Sequence, residues 1–246
     1  VAHGQDHTLL SMSHFTTVIA LVGTEGCGKT TLALQLQHLV SSNSPSEINP
    51  MTPITKRGAP AAATVSTVCP LEPCTIAVAP TTGQELFHME LSTNFDATRT
   101  AHHSGITIRE LGGRMAPSWG KMMSKRESSV KGIIYMVDIT QAWQLPVSIV
   151  EFATLLAVTS PSLTHSVHLN DDETREPLQP PPVLLLLNKA AHLTHEPFTT
   201  QEDIRHMYLA SIPESQQRRI QITVVDTWLG IGLGDVCTWL THCATQ

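Results

Sequence analysis

The stretch that most constrains the chain is Gly23-Thr-Glu-Gly-Cys-Gly-Lys-Thr30, which joins an apolar run to a helical one. Upstream, Phe15-Thr-Thr-Val-Ile-Ala-Leu-Val22 is β-branched and apolar, as in a strand buried on both faces of a parallel sheet. Downstream, Leu32, Leu36, Leu39 and Val40 recur at helical spacing until Ser41-Ser-Asn-Ser-Pro45 ends the pattern. A glycine turn in that setting aims backbone N–H groups at one point, at the positive end of a helix. Such a point binds phosphate. Gly23, Glu25, Gly26, Cys27, Gly28, Lys29, Thr30 and Thr31 are the candidate nucleotide-binding residues of the loop. Lys29 would place a point charge on the β and γ phosphates, and the Thr30 hydroxyl would ligate Mg2+. Cys27, at a helix N-terminus, is also a candidate reactive thiol.

Alternating strand and helix patterns follow. Thr75–Val78 and Glu85–Leu91 read as a strand pair with Pro80-Thr-Thr-Gly83 as the turn, and Ile106–Leu111 as a strand ended by Gly112-Gly113. Gly132-Ile-Ile-Tyr-Met-Val-Asp138 and Val183–Leu187 read as buried strands, and Arg219–Val225 as the last strand. Helices are expected at Lys29–Val40, Ala142–Val158, Gln201–Ser211 and Leu233–Cys243, with Pro146 in a first turn or at a kink. The fold class expected is α/β, a P-loop NTPase fold. Its mostly parallel sheet of about six strands is flanked by helices. Two Ser/Pro-rich stretches near 41–75 and 159–182 read as long loop inserts, and residues 1–14 as a disordered extension ahead of one domain spanning 15–246.

Composition excludes several partners. The formal charge is −6 and Lys and Arg form no block, so nucleic acid and anionic membrane have no electrostatic basis. The longest apolar run, Val183-Leu-Leu-Leu-Leu187, is far below the ~20 residues of a membrane span. No signal peptide or N-myristoylation pattern is seen, Ser13 following Met12, so no direct membrane anchor is expected. Five unpatterned cysteines suit free thiols and a cytoplasmic location. Cys69-Pro-Leu-Glu-Pro-Cys74 is at most half of a zinc site, and His102-His103 reads as polar loop.

Several nucleotide-binding families use this glycine loop, and Ile106-Thr-Ile-Arg-Glu-Leu-Gly-Gly-Arg-Met-Ala-Pro-Ser-Trp119 discriminates among them. It resembles small GTPases of the ADP-ribosylation factor-like class, in a divergent branch, with a double glycine after the third core strand and then Pro-x-Trp. The likeness continues through Tyr135-Met-Val-Asp138, Asn188-Lys189 and Gly230-x-Gly-Leu-x-x-Val-x-x-Trp-Leu240. It implies GTP or GDP with Mg2+ as ligands. Gly113 would donate its N–H to the γ-phosphate, Asn188 and Lys189 would hold the guanine base, and the Thr227 N–H would meet the base oxygen. The family's Pro-Thr-Val-Gly-Thr resembles Ala63-Thr-Val-Ser-Thr67 and nominates Thr64 as the second hydroxyl on the metal.

Four departures from the family pattern bear on function. Glu110 replaces an Asp, and Arg114 stands at the place of a Gln that orients the attacking water. Arg has no acceptor, so Lys29, Gly113 and Arg114 form a catalytic set expected to hydrolyse slowly. Asn188-Lys189-Ala190-Ala191 lacks the carboxylate that accepts two guanine N–H groups, each worth roughly 1.5–3 kcal/mol, so guanine selectivity should weaken. Asp226-Thr227-Trp228 replaces Ser-Ala-Lys, and Asp226 is a candidate substitute carboxylate or a simple loop cap. The expected function is a monomeric GTP-binding switch with slow or partner-assisted hydrolysis that recruits effector proteins, the family implying membrane or ciliary traffic. The alternative is a pseudo-GTPase scaffold whose nucleotide is structural or absent. No Arg-rich lid supports a kinase.

Overall fold

A computed structural model describes residues 17–42, 81–93, 102–123, 130–160, 179–191 and 200–245. Six strands form one sheet in the order β2-β3-β1-β4-β5-β6, with β1 Thr17–Gly23, β2 Gln84–Thr93, β3 His102–Leu111, β4 Val130–Asp138, β5 Val183–Asn188 and β6 Ile220–Val224. Every neighbouring pair is parallel except the β2–β3 hairpin at one edge. The helices are α1 Lys29–Ser42, α2 Ala116–Met123, α3 Leu145–Val158, α4 Gln201–Ala210, the short α5 Glu214–Gln217, and α6 Leu233–Thr245.

Side chains alternate along β1, so one short apolar strand feeds two cores. Ile19 and Leu21 pack with Leu32 and Leu36 of α1 and with Val236, Trp239 and Leu240 of α6. Ala20 and Val22 pack on the other face with Trp119 of α2, Phe152 and Leu155 of α3, and Ile204 and Tyr208 of α4. A strand covered on both faces cannot alternate with polar residues, and this is why β1, β4 and β5 read as unbroken apolar runs. α4 opens on a capping box that no expectation included. Thr200 Oγ1 accepts from the Asp203 N–H at 3.1 Å, and Asp203 Oδ2 accepts from the Thr200 N–H at 2.8 Å.

Three expectations change. Glu85–Leu91 is a strand but pairs with β3, from Gln84 opposite Leu111 to Thr93 opposite His102, and Thr75–Val78 lies outside the described residues. His102-His103 are not loop: their backbones extend β3 against Ser92 and Thr93, because the ladder at a sheet edge continues through residues that need no apolar cover. Ala116–Met123 forms α2, which the Pro and Gly in its short sequence concealed. Pro146 sits in the first turn of α3, after a 3-10 turn at Ala142–Gln144. The domain limits and most of both expected inserts fall outside the described residues.

The core behind the phosphate loop holds one polar knot. Tyr135 Oη donates within 2.9 Å of the Ser148 carbonyl and lies 2.8 Å from Ser148 Oγ, to which Tyr208 Oη donates at 2.7 Å. Burial pushes both phenols well above their ordinary range, so both stay neutral. Ser148→Ala strands the buried Tyr208 hydroxyl, while Tyr135 keeps its bond to the backbone carbonyl at 148, and should cost about 1–3 kcal/mol in urea unfolding. Unchanged stability would mean that the knot contributes nothing.

Candidate functional site

β1 has neighbours on both sides reached by chain segments leaving in opposite directions, and ligands of such sheets bind beyond the carboxyl ends of the strands at that switch point. Glu110, next to the last residue of β3, lies opposite Leu21, while Asp138 and Asn188 face each other at the ends of β4 and β5. Gly23 turns the chain out of β1 at φ +144°, and a Cβ there would stand 2.0 Å from the Met136 carbonyl oxygen. Only glycine fits. The loop closes on Lys29, which is buried and donates from Nζ to the carbonyls of Gly23 at 3.0 Å and Thr24 at 2.8 Å.

A cleft of about 730 Å³ opens above this loop. It brings together Glu25, Gly26, Gly28, Lys29, Thr30, Thr31, Gly113, Lys189 and Thr227 of the expected set. It adds Thr81, Glu110, Gln144, Asp226 and Trp228. Gly23, Cys27 and Asn188 lie behind the wall as its support. Arg114 lines an adjoining recess with Trp143 and Val147.

Three oxygens converge in the cleft. Glu110 Oε1 accepts from Thr30 Oγ1 at 2.9 Å and from Thr81 Oγ1 at 3.0 Å, and the two hydroxyls are 3.4 Å apart. Glu110 is 1% exposed, and no described residue donates to its buried Oε2. Burial raises its pKa, and the bonds from Thr30 and Thr81 and the charge of Lys29 offset only part of the rise. Thr81 was missed. The family wording matched to Thr64 is also met by Pro80-Thr-Thr-Gly83, directly before β2, whereas Thr64 lies outside the described residues.

At the other end, Asn188 is wholly buried and bonded on both faces of its amide. Its Nδ2 donates to the Cys27 carbonyl at 2.8 Å and to Thr227 Oγ1 at 3.2 Å, and its Oδ1 accepts from the Thr227 N–H at 3.0 Å. The Thr227 N–H expected to meet a base oxygen is therefore engaged by Asn188. Lys189 takes φ +65° and forms an ion pair with buried Asp138. Burial alone would raise the Asp138 carboxyl, but the bonds from Lys189 and Thr140 outweigh it and hold the group below its ordinary range. Asp226 Oδ1 accepts from the N–H groups of Trp228 at 3.1 Å and Leu229 at 3.0 Å, the geometry of a loop cap.

Gly113 leans on the phosphate loop so closely that a Cβ would stand 2.5 Å from the Glu25 nitrogen. Arg114 Nε donates to Glu25 Oε2 at 2.8 Å in an exposed pair. Trp119 anchors this segment from below, its Nε1 donating to the Gly112 carbonyl at 3.2 Å. The reactive-thiol expectation for Cys27 is overturned: the thiol is fully buried, burial raises its pKa, and Lys29 at 3.7 Å offsets this only in part.

No protein-family model matches the chain, and no curated protein matches it in sequence. Among solved structures it is similar to the Arl6 BBS3 small GTPase from Trypanosoma brucei with the bound nucleotide analogue GppNp. Identity is 16%, coverage is 94% of this chain and 98% of that one, and the TM-score is 0.52. At this identity the likeness is one of fold. The chain has the P-loop NTPase fold in the form that small GTPases take. Among the described residues no helix is long and apolar enough to cross a membrane, and no cluster of His, Cys, Asp and Glu is suited to a metal ion.

The raised pKa of Glu110 sets a pH dependence. The fold favours the neutral acid, so this contribution to stability is present below the free carboxyl pKa and is lost as pH rises through the raised value. Glu110→Gln imitates the neutral acid. Without nucleotide it should raise Tm at pH 8, by roughly 2–6 °C, with the difference shrinking towards zero near pH 4. An equal shift at both pH values would contradict an ionised, buried Glu110.

Proposed function

We propose that the chain is a GTP-binding switch of the ADP-ribosylation factor-like class, closest in its motifs to ADP-ribosylation factor-like protein 16. The observation that carries this reading is the convergence of Lys29, Thr30, Thr81, Glu110 and Gly113 on one cleft at the strand ends. GTP or GDP lies with its phosphates on the loop from Gly23 to Thr31, and Lys29 leaves the Gly23 and Thr24 carbonyls for phosphate oxygens.

The oxygen set fits Mg2+. Thr30, Thr81 and Glu110 offer hard ligands, and the unpaired Oε2 of Glu110 is a buried acceptor in want of a cation or a metal-bound water. When bound, the ion neutralises charge on the β and γ phosphates. Thr30 and Thr81, whose hydroxyls donate to Glu110 Oε1, would hold the ion through their oxygens. Thr64 stays a second candidate outside the described residues.

Gly113 is the moving part of the switch. Its N–H meets the γ-phosphate, and the segment through Arg114 shifts with the phosphate's presence. Effector proteins read that segment beside exposed Trp143 and Val147 of the adjoining recess. Hydrolysis is slow, because Arg114 is tied to Glu25 and offers no acceptor to an attacking water. The same observation favours the second reading, a scaffold that holds nucleotide without turning it over.

Titration with a fluorescent GTP analogue and Mg2+ tests the first step. Lys29→Ala should weaken binding on the order of a hundredfold or more. Equal binding by this variant would remove the phosphate reading. In single-turnover assays Arg114→Gln should accelerate hydrolysis by roughly tenfold or more. No acceleration would favour the scaffold.

A further inference from the structure

The base end of the cleft lacks the carboxylate with which the family reads guanine. Ala191 has no carboxylate, and the Thr227 N–H donates to Asn188 Oδ1 at 3.0 Å. Asp226 Oδ1 accepts from the N–H groups of Trp228 and Leu229. Those two bonds fix the turn that carries Trp228. The indole of Trp228 is 46% exposed and borders the cleft beside Lys189, Asp226 and Thr227.

A large half-exposed aromatic on a fixed turn can receive a flat ring. Every nucleobase has a π-face, so stacking gives affinity with little regard to which base is present. Lys189, pinned by its ion pair with buried Asp138, borders the same end and limits where a ring can lie. The position held by a lysine in the family pattern has become the aromatic element of the site.

We propose that Trp228 is the platform on which the purine ring of a bound nucleoside triphosphate stacks, so that the site takes GTP and ATP with little preference. Asp226 is a positioning residue for it. This rests on the phosphate site proposed above and assigns the base end of that same site.

The test compares the full chain with Trp228→Ala, Trp228→Phe and Ala191→Asp in titrations with fluorescent GTP and ATP analogues in Mg2+. The unaltered chain should bind the two within about tenfold of each other. Trp228→Ala should weaken both alike, by about five- to hundredfold, and Trp228→Phe should restore most of the loss. Ala191→Asp should tighten GTP and leave ATP unchanged. Trp228→Ala that binds as the unaltered chain does, or a GTP preference of more than about a hundredfold in the unaltered chain, overturns the proposal while leaving the phosphate site standing. Failure of the unaltered chain to bind either analogue removes both.

Discussion

One buried amide holds the site together. Asn188 ends β5 and bonds at once to the loop after β1, through the Cys27 carbonyl, and to the loop after β6, through Thr227. A fully buried amide left unbonded would cost on the order of 1–3 kcal/mol per group, so the three loops are fixed relative to one another by its satisfaction. The left-handed Lys189 that follows sends its ammonium to Asp138 at the end of the neighbouring strand, adding the β4 loop to the same frame. Phosphate loop and base loop are thus parts of a single bracket. The glycines of the first turn let it close, and the two cores beneath β1 keep the strand ends level.

Much of this was legible in the sequence, for a physical reason. β1, β4 and β5 are covered on both faces, and their apolar runs stand out against a chain otherwise rich in polar segments. The strand-to-helix context of the glycine loop was equally plain, β1 running into it and α1 leaving it. The edge was harder. β2 and β3 carry polar residues because an edge hairpin needs fewer apolar contacts, so His102-His103 resembled loop and the pairing of Glu85–Leu91 with Ile106–Leu111 went unread. Thr81 was hidden by its own setting, since Pro80-Thr-Thr-Gly83 satisfies a turn pattern as well as it does a hydroxyl on a metal. Trp228 was legible only as a departure from the family's base-loop lysine, because a solvent-facing aromatic acquires meaning only beside a cleft.

The chemistry of the cleft follows from what is buried. Lys29 rests on two carbonyls and Glu110 on two hydroxyls, so each charged group is provisionally satisfied by partners that it can give up. The two halves differ in how well. Lys29 is fully bonded, while Glu110 has a raised pKa and a buried oxygen to which no described residue donates. That imbalance is what the proposed divalent cation would relieve. Arg114 pairs with Glu25 at the surface. The proposed switch therefore has binding groups in place, and its turnover would depend on what approaches the Gly113 segment.

Hydrogen exchange with and without Mg2+ and a non-hydrolysable GTP analogue asks whether nucleotide seats on this bracket. Amide exchange should slow in residues 23–31, 110–115, 188–189 and 226–229, with little change along β2 or in α6. Unchanged exchange in the segment from Gly23 to Thr31, at analogue concentrations that saturate binding, would contradict that seating.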